Sequence, residues 1–247
     1  MMIITIFSKD TRSDRSILAA NLATHCAHEH RSVALLDASV AQHAMNWNKQ
    51  RSEHRVKPKF AVFGSPGLRS DLEDPRSYLR SHYQEIIIDT DGADSLNTDS
   101  ALLASNVLVI PAWFRQGQSG QREKLIEHLE EVRLFNPALR ILVVDMRTIS
   151  AGSDVEKAEA QAAADFSGSV SGASLARTVL HERLGAQRAF DVGLSVFEDE
   201  PINERAAAEI GDLYREIVQL HALPMQAPNG TEVLHAIQRR LHGKATA

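Results

Sequence analysis

Six short runs of apolar and β-branched residues, Ile3–Phe7, Val33–Leu36, Phe60–Phe63, Ile86–Ile88, Val107–Ile110 and Ile141–Val144, recur along the chain with helical patterns between most of them. Runs of this length without polar alternation read as strands buried on both faces, and such strands separated by helices form a mostly parallel sheet covered on both sides. Crossovers in a sheet of this kind are right-handed. The pattern therefore predicts one α/β domain, a mostly parallel sheet of about seven strands with helices on both faces.

The first forty residues set where chemistry would sit. Ile3–Phe7 is a strand, residues 8–15 a loop, Ser16 to about His30 a helix, and Val33–Leu36 a second strand ending in Asp37. A strand that runs into a loop and then a helix aims the helix's free N–H groups above the loop, where anions are favoured. Ile17, Leu18, Asn21, Leu22, His25 and Cys26 fall at helical spacing and predict one apolar side. Ser13 or Asp14 is a candidate N-cap, and a carboxylate there would occupy the place a phosphate needs.

Separated blocks then carry a family likeness. LAANLATHCAHEHRSVALLDAS, IIIDTDGADS, VLVIPA and GLSVFE followed by AAAEIGDLYREI resemble, in order and spacing, the ParA/MinD family of deviant-Walker P-loop ATPases over roughly residues 1–220. The resemblance implies a P-loop NTPase-like fold, ATP and Mg²⁺ as cofactors, a homodimer, a ParB-like or other protein partner, and non-specific DNA as a further ligand. It implies partition or positioning work of the kind done in plasmid or chromosome segregation.

Against the family's K-G-G-x-G-K-[ST]-[ST] loop, this chain has Asp10, Thr11, Arg12, Ser13, Asp14, Arg15, Ser16 and Ile17. Glycines in such a loop let backbone N–H groups turn inward at positive φ and approach a phosphate closely, and none is present here. Arg15 stands at the phosphate-binding lysine, although a planar guanidinium is not equivalent to a compact ammonium. Lys9 would serve as the signature lysine only in a shifted register. By the resemblance, the cofactor-binding candidates are Lys9, Thr11, Arg12, Arg15, Ser16, Gly92 and Asp145, and Ser16 and Asp89 are the Mg²⁺ ligands. Asp37 is the catalytic candidate, helping to activate the attacking water, or else a cap on the helix that follows it. Two readings of the loop stand: an altered nucleotide site, which makes the chain a weak or inactive ATPase, and a polar loop on an inherited scaffold, which makes it a non-catalytic interaction protein.

Asp89, Asp91 and Asp94 gather on the segment after the fourth strand, and carboxylates without counter-charge raise one another's pKa. Lys9, Arg12 and Arg15 are the nearest positive charges. These predict that the basic loop residues and Asp37, Asp89 and Asp91 neutralise each other, fill the pocket with side chains and hold the segment in one state. Asp145 replaces the family's adenine-reading asparagine, and a carboxylate accepts from an amine but cannot donate.

Elsewhere the chain offers several surfaces. Lys49, Arg51, Arg55, Lys57 and Lys59 form its most basic stretch, a solvated loop or a phosphate contact. Residues 64–75 read as a turn region, and Trp113–Gly120 as a loop for packing or partner contact. Gly152–Ala164 reads as a surface helix followed by a small-residue linker from Phe166 to Gly172, and Glu204–Leu220 as a long amphipathic helix. Residues 1–222 are expected to form the α/β domain, and 223–247 a linker and a basic amphipathic helix. That tail lacks bulky aromatics, so membrane binding is not expected, while DNA, a protein partner or self-packing all remain open.

Composition narrows the classes. Of 247 residues, 43% are hydrophobic and 24% charged, an ordinary globular balance, and the net charge of −5 argues against a whole-surface attraction to nucleic acid while allowing a local basic patch. Cys26 is the only cysteine, so no internal disulfide or cysteine metal cage forms. With no long apolar run and no secretory signal at the N-terminus, the expected location is cytoplasmic.

Overall fold

The computed structural model describes residues 1–9, 14–64, 75–92, 95–112, 119–148, 153–182 and 184–224. In chain order the strands are β1 (Met2–Ile6), β2 (Val33–Asp37), β3 (Ala61–Gly64), β4 (Glu85–Asp89), β5 (Val107–Ala112), β6 (Arg140–Thr148), β7 (Ala173–Leu175) and β8 (Leu180–Glu182). The helices are α1 (Asp14–His28), α2 (His43–Glu53), α3 (Pro75–His82), α4 (Leu96–Ala104), α5 (Ser119–Phe135), α6 (Ser153–Ser169), α7 (Leu184–Asp191) and α8 (Glu204–Ala222).

The strands pair in the order β3-β2-β4-β1-β5-β6-β7, with β8 continuing alongside the upper half of β6, and every pairing is parallel. Because successive strand residues point to opposite faces, each central strand feeds two cores. Ile4, Ile6, Ile87, Val107, Val109, Leu142 and Val144 face Leu18 and Leu22 of α1 and Ile210, Leu213 and Ile217 of α8. Leu108, Ile110, Ile141 and Val143 face Leu102 of α4, Leu125 and Leu129 of α5 and Phe166 of α6. Ala34, Ile86 and Ile88 pack with Leu79 of α3 on that second face. Both faces of the sheet are thus sealed, which is why its strands read as unbroken apolar runs.

Two local readings are corrected. The helix predicted over 152–164 continues to Ser169, and the supposed linker supplies core residues: Phe166 is 4% exposed and Val170 2%. Ala163, Phe166 and Val170 lie three and four apart, so the apolar stripe runs past the small residues that suggested a break. Helix α1 is not one-sided either, since Ala19, Ala20, Ala23 and Thr24 are buried together with Leu18, Asn21, Leu22 and Cys26. It is wedged between the sheet, α2 and α8, and its small residues are what let three elements approach it.

A polar corner anchors α2 to the chain between α7 and α8. Arg51 is 3% exposed and bonds Glu198 in a fork, Nη1 to Oε2 and Nη2 to Oε1, each at 2.6 Å, and also the Pro58 carbonyl at 2.8 Å. Glu198 further accepts from the Ser195 amide and hydroxyl at 3.0 and 2.9 Å, and Trp47 donates Nε1–H to the Leu194 carbonyl at 2.9 Å. Gly193 sits at φ +80°, where a Cβ would lie 2.3 Å from the Arg51 nitrogen, so only glycine lets the two segments touch. Of the basic stretch, Lys49, Arg55, Lys57 and Lys59 remain exposed, whereas Arg51 belongs to this corner.

Candidate functional site

The chain leaves β1 through α1 toward β2 and leaves β4 through α4 toward β5, on the opposite side of the sheet. The carboxyl ends of β1 and β4, which are hydrogen-bonded neighbours, therefore form the point where the winding reverses, and open α/β sheets keep their ligand crevice there. Arg15 and Ser16 come to this place from the first turn of α1, Asp37 from the end of β2, and Asp89, Asp91 and Gly92 from the end of β4.

Arg15 lies almost entirely inside, 8% exposed. Its Nη1 donates to the Ser8 carbonyl at 3.0 Å, its Nε to the Thr90 carbonyl at 2.9 Å, and its Nη2 to the Asp91 carbonyl at 3.1 Å. A flat fork of donors meets three carbonyl oxygens, two at the end of β4 and one at the end of β1, a geometry an ammonium group does not provide. The expected pairing of this arginine with the carboxylates is thus replaced, for these three donors, by pairing with backbone oxygens.

Asp37 is also committed to the backbone. Its Oδ1 accepts from the Ser39 amide at 3.0 Å and the Ser39 hydroxyl at 2.5 Å, and its Oδ2 accepts from the Met45 amide at 3.0 Å. Gln42, the residue before α2, is left-handed at φ 51° and makes no side-chain cap bond, so Asp37 and the Ser39 hydroxyl, which accepts from the Gln42 amide at 3.1 Å, serve the open end of that helix. Asp91 reaches across the crevice: Oδ2 accepts from the Val40 amide at 3.2 Å and Oδ1 from the Thr98 hydroxyl at 3.3 Å. Gly92 holds φ +70°, and a Cβ there would stand 1.8 Å from the Ser8 carbonyl oxygen. A residue with a side chain therefore does not fit there.

Asp89 differs from its neighbours. It is 0% exposed, and neither carboxylate oxygen has a hydrogen-bond partner. Burial pushes its pKa up to about 7; Asp37 and Asp91 add to the rise, while the Ser16 hydroxyl and the Arg15 charge oppose it. Ser16, 4% exposed, and this carboxylate are together a hydroxyl and an anionic oxygen donor of the kind a hard divalent cation takes. Among the described residues there is no group of three or more His, Cys, Asp or Glu side chains that could hold a metal ion.

Asp145 lies apart, beyond β1 and β5 on β6. It is 3% exposed, and Arg147 folds back onto its Oδ2 with Nε at 2.8 Å and Nη2 at 2.6 Å, leaving Oδ1 without a partner. Lys9, at the end of the described β1 segment, is half-buried. Thr11, Arg12, Ser13, Asp94, Trp113 to Gln118 and the tail from residue 225 lie outside the described residues. The sequence reading missed Ser39, Thr90 and Val40. Thr90 bonds the Ile6 carbonyl through its hydroxyl at 2.8 Å and so ties β4 to β1 from inside. A serine two residues after an aspartate is a turn signal that points to Ser39, but nothing local marks Thr90 or Val40.

The sequence matches no family model and no curated protein. The fold is similar to a chain of the Aquifex aeolicus MinC:MinD cell division protein complex, with a TM-score of 0.63 at 15% identity over 92% of this chain and 98% of that one. It is similar to a Borrelia burgdorferi B31 protein described as a plasmid partition protein, bound to AMPPNP, at 0.63 and 16% over 88% and 98%. A variant of Cyanothece McdA in complex with ATP gives 0.63 at 15% over 91% and 98%. The α/β fold is therefore the one that these MinD, plasmid partition and McdA structures share. No helix among the described residues is long and apolar enough to cross a membrane.

Proposed function

We propose that this chain is a ParA/MinD-type partition or positioning protein that works without an ATP cycle, as an interaction protein on that scaffold. The observation that carries this reading is Arg15: at the position the resemblance gives to the phosphate-binding lysine, three guanidinium donors are already spent on the carbonyls of Ser8, Thr90 and Asp91. Three of its five N–H donors are thus taken, and a phosphate would meet a guanidinium already held by the two strand ends. Asp37 supports the same reading, because both of its oxygens serve backbone amides that a water-activating carboxylate would abandon. The residues present thus fit a triphosphate poorly. A degenerate P-loop without glycine agrees with this.

One observation favours the second reading, a weak ATPase. Asp89 keeps two unbonded oxygens beside Ser16, the pair that would hold Mg²⁺ if nucleotide bound. The two readings separate in a thermal unfolding series with ATP and Mg²⁺. A ligand that binds only the folded state at about a hundred times its Kd stabilises it by roughly 2.7 kcal/mol. No change in Tm up to millimolar ATP is the expected outcome, and a saturable ATP-dependent rise would refute the proposal. A homodimer, a ParB-like or other protein partner, and non-specific DNA held by Lys49, Arg55, Lys57 and Lys59 belong to the same proposal. Retention on DNA that does not weaken with salt would remove the DNA part.

A further inference from the structure

The segment from Asp89 to Gly92 leaves the sheet where the winding reverses, and in an open crevice such a connection is free to move. Here it is held from four sides. Arg15 grips the Thr90 and Asp91 carbonyls and, with its remaining terminal nitrogen, the Ser8 carbonyl on the neighbouring strand end. The Thr90 hydroxyl bonds Ile6, the Asp91 carboxylate bonds the Val40 amide of the β2–α2 connection and the Thr98 hydroxyl of α4, and the Gly92 backbone lies against the Ser8 carbonyl. Three connections, β1–α1, β2–α2 and β4–α4, are therefore tied at one point.

We infer that Arg15 is a built-in tether: its guanidinium binds the ends of β1 and β4 to each other and fixes the Asp89–Gly92 segment in one conformation without any ligand. The inference rests on the reading that no triphosphate occupies the crevice. Arg15 suits this task because its planar donors reach three carbonyls at once, and because at 8% exposure its bonds do not compete with water. Val40, 84% exposed, rides on one of the connections so tied, and Leu96, 79% exposed, opens the helix that follows another.

Amide hydrogen exchange on the whole chain tests it, comparing wild type with and without ATP and Mg²⁺ against Arg15→Met and Arg15→Lys. In wild type the hydrogen-bonded amides of Ala38, Ser39, Val40 and Thr90 are protected, and nucleotide leaves them unchanged. Arg15→Met speeds their exchange by about tenfold or more while α8 and β6 keep their protection, and Arg15→Lys restores only part of it. The tether is overturned if Arg15→Met exchanges like wild type in these segments. If that variant does not fold, wild type alone decides: exchange of the Val40 and Thr90 amides at open-loop rates overturns it. A nucleotide-induced change in wild type with the Arg15→Met effect intact would instead sink the nucleotide-free reading and leave the clasp standing.

Discussion

Replacing Asp89 by asparagine should stabilise the protein, and increasingly so as pH rises. The carboxyl is fully buried with neither oxygen hydrogen-bonded, and its pKa is raised from 3.8 to about 7, burial being the main cause. The folded state holds this proton more tightly than the unfolded chain does. Stability therefore falls as pH climbs from the unfolded pKa toward the folded one and levels off above it. At roughly 1.4 kcal/mol per pH unit, the whole interval is worth ~4 kcal/mol. Between about pH 5 and pH 8 the loss is ~2–3 kcal/mol, since part has already occurred by the lower value. Asn keeps the size and removes the titration, and groups not coupled to Asp89 titrate alike in both proteins. Urea unfolding at the two pH values, with EDTA present to exclude metal binding, measures the stability gap between variant and wild type. The gap should widen by ~2–3 kcal/mol toward alkaline pH. A gap constant within about 0.5 kcal/mol would show that Asp89 finds a partner or solvent in solution and would refute the reasoning.

Two further outcomes follow from the fold. Arg51→Met should cost ~3–5 kcal/mol in urea unfolding, because Glu198 is left buried without its fork, and adding Glu198→Gln should recover part of that loss; a cost below about 1 kcal/mol would mean that the corner does not hold α2. The Cys26 thiol, 0% exposed and with its pKa pushed by burial to about 12, should react with a thiol-specific disulfide reagent only as fast as the protein unfolds. Rapid labelling of the native protein would place that thiol at the surface instead.

The order of elements was legible in the chain because both faces of the sheet are covered, so each central strand is a continuous apolar run and each crossover shows a helical period. The site was legible in part. Asp37 and Asp89 stand at strand ends, and Gly92 marks a backbone that only glycine fits, all of which local pattern reveals. What the side chains do there was decided by neighbours far away in sequence. Arg15 looked like a partner for carboxylates, and its Nε and Nη2 reach the carbonyls of Thr90 and Asp91, some 75 residues on. Asp37 turned to the amides of Ser39 and Met45, while Asp89, equally acidic in the sequence, was left with no partner and a raised pKa. Arg51 read as one charge in a basic run and became half of a buried pair with a residue almost 150 positions later. Residue types and spacing specify which groups arrive at the crevice. Only the packing of α1 against the ends of β1 and β4 settles which donors meet which acceptors, because hydrogen bonds are directional over about 3 Å and a sequence carries no distances across the sheet.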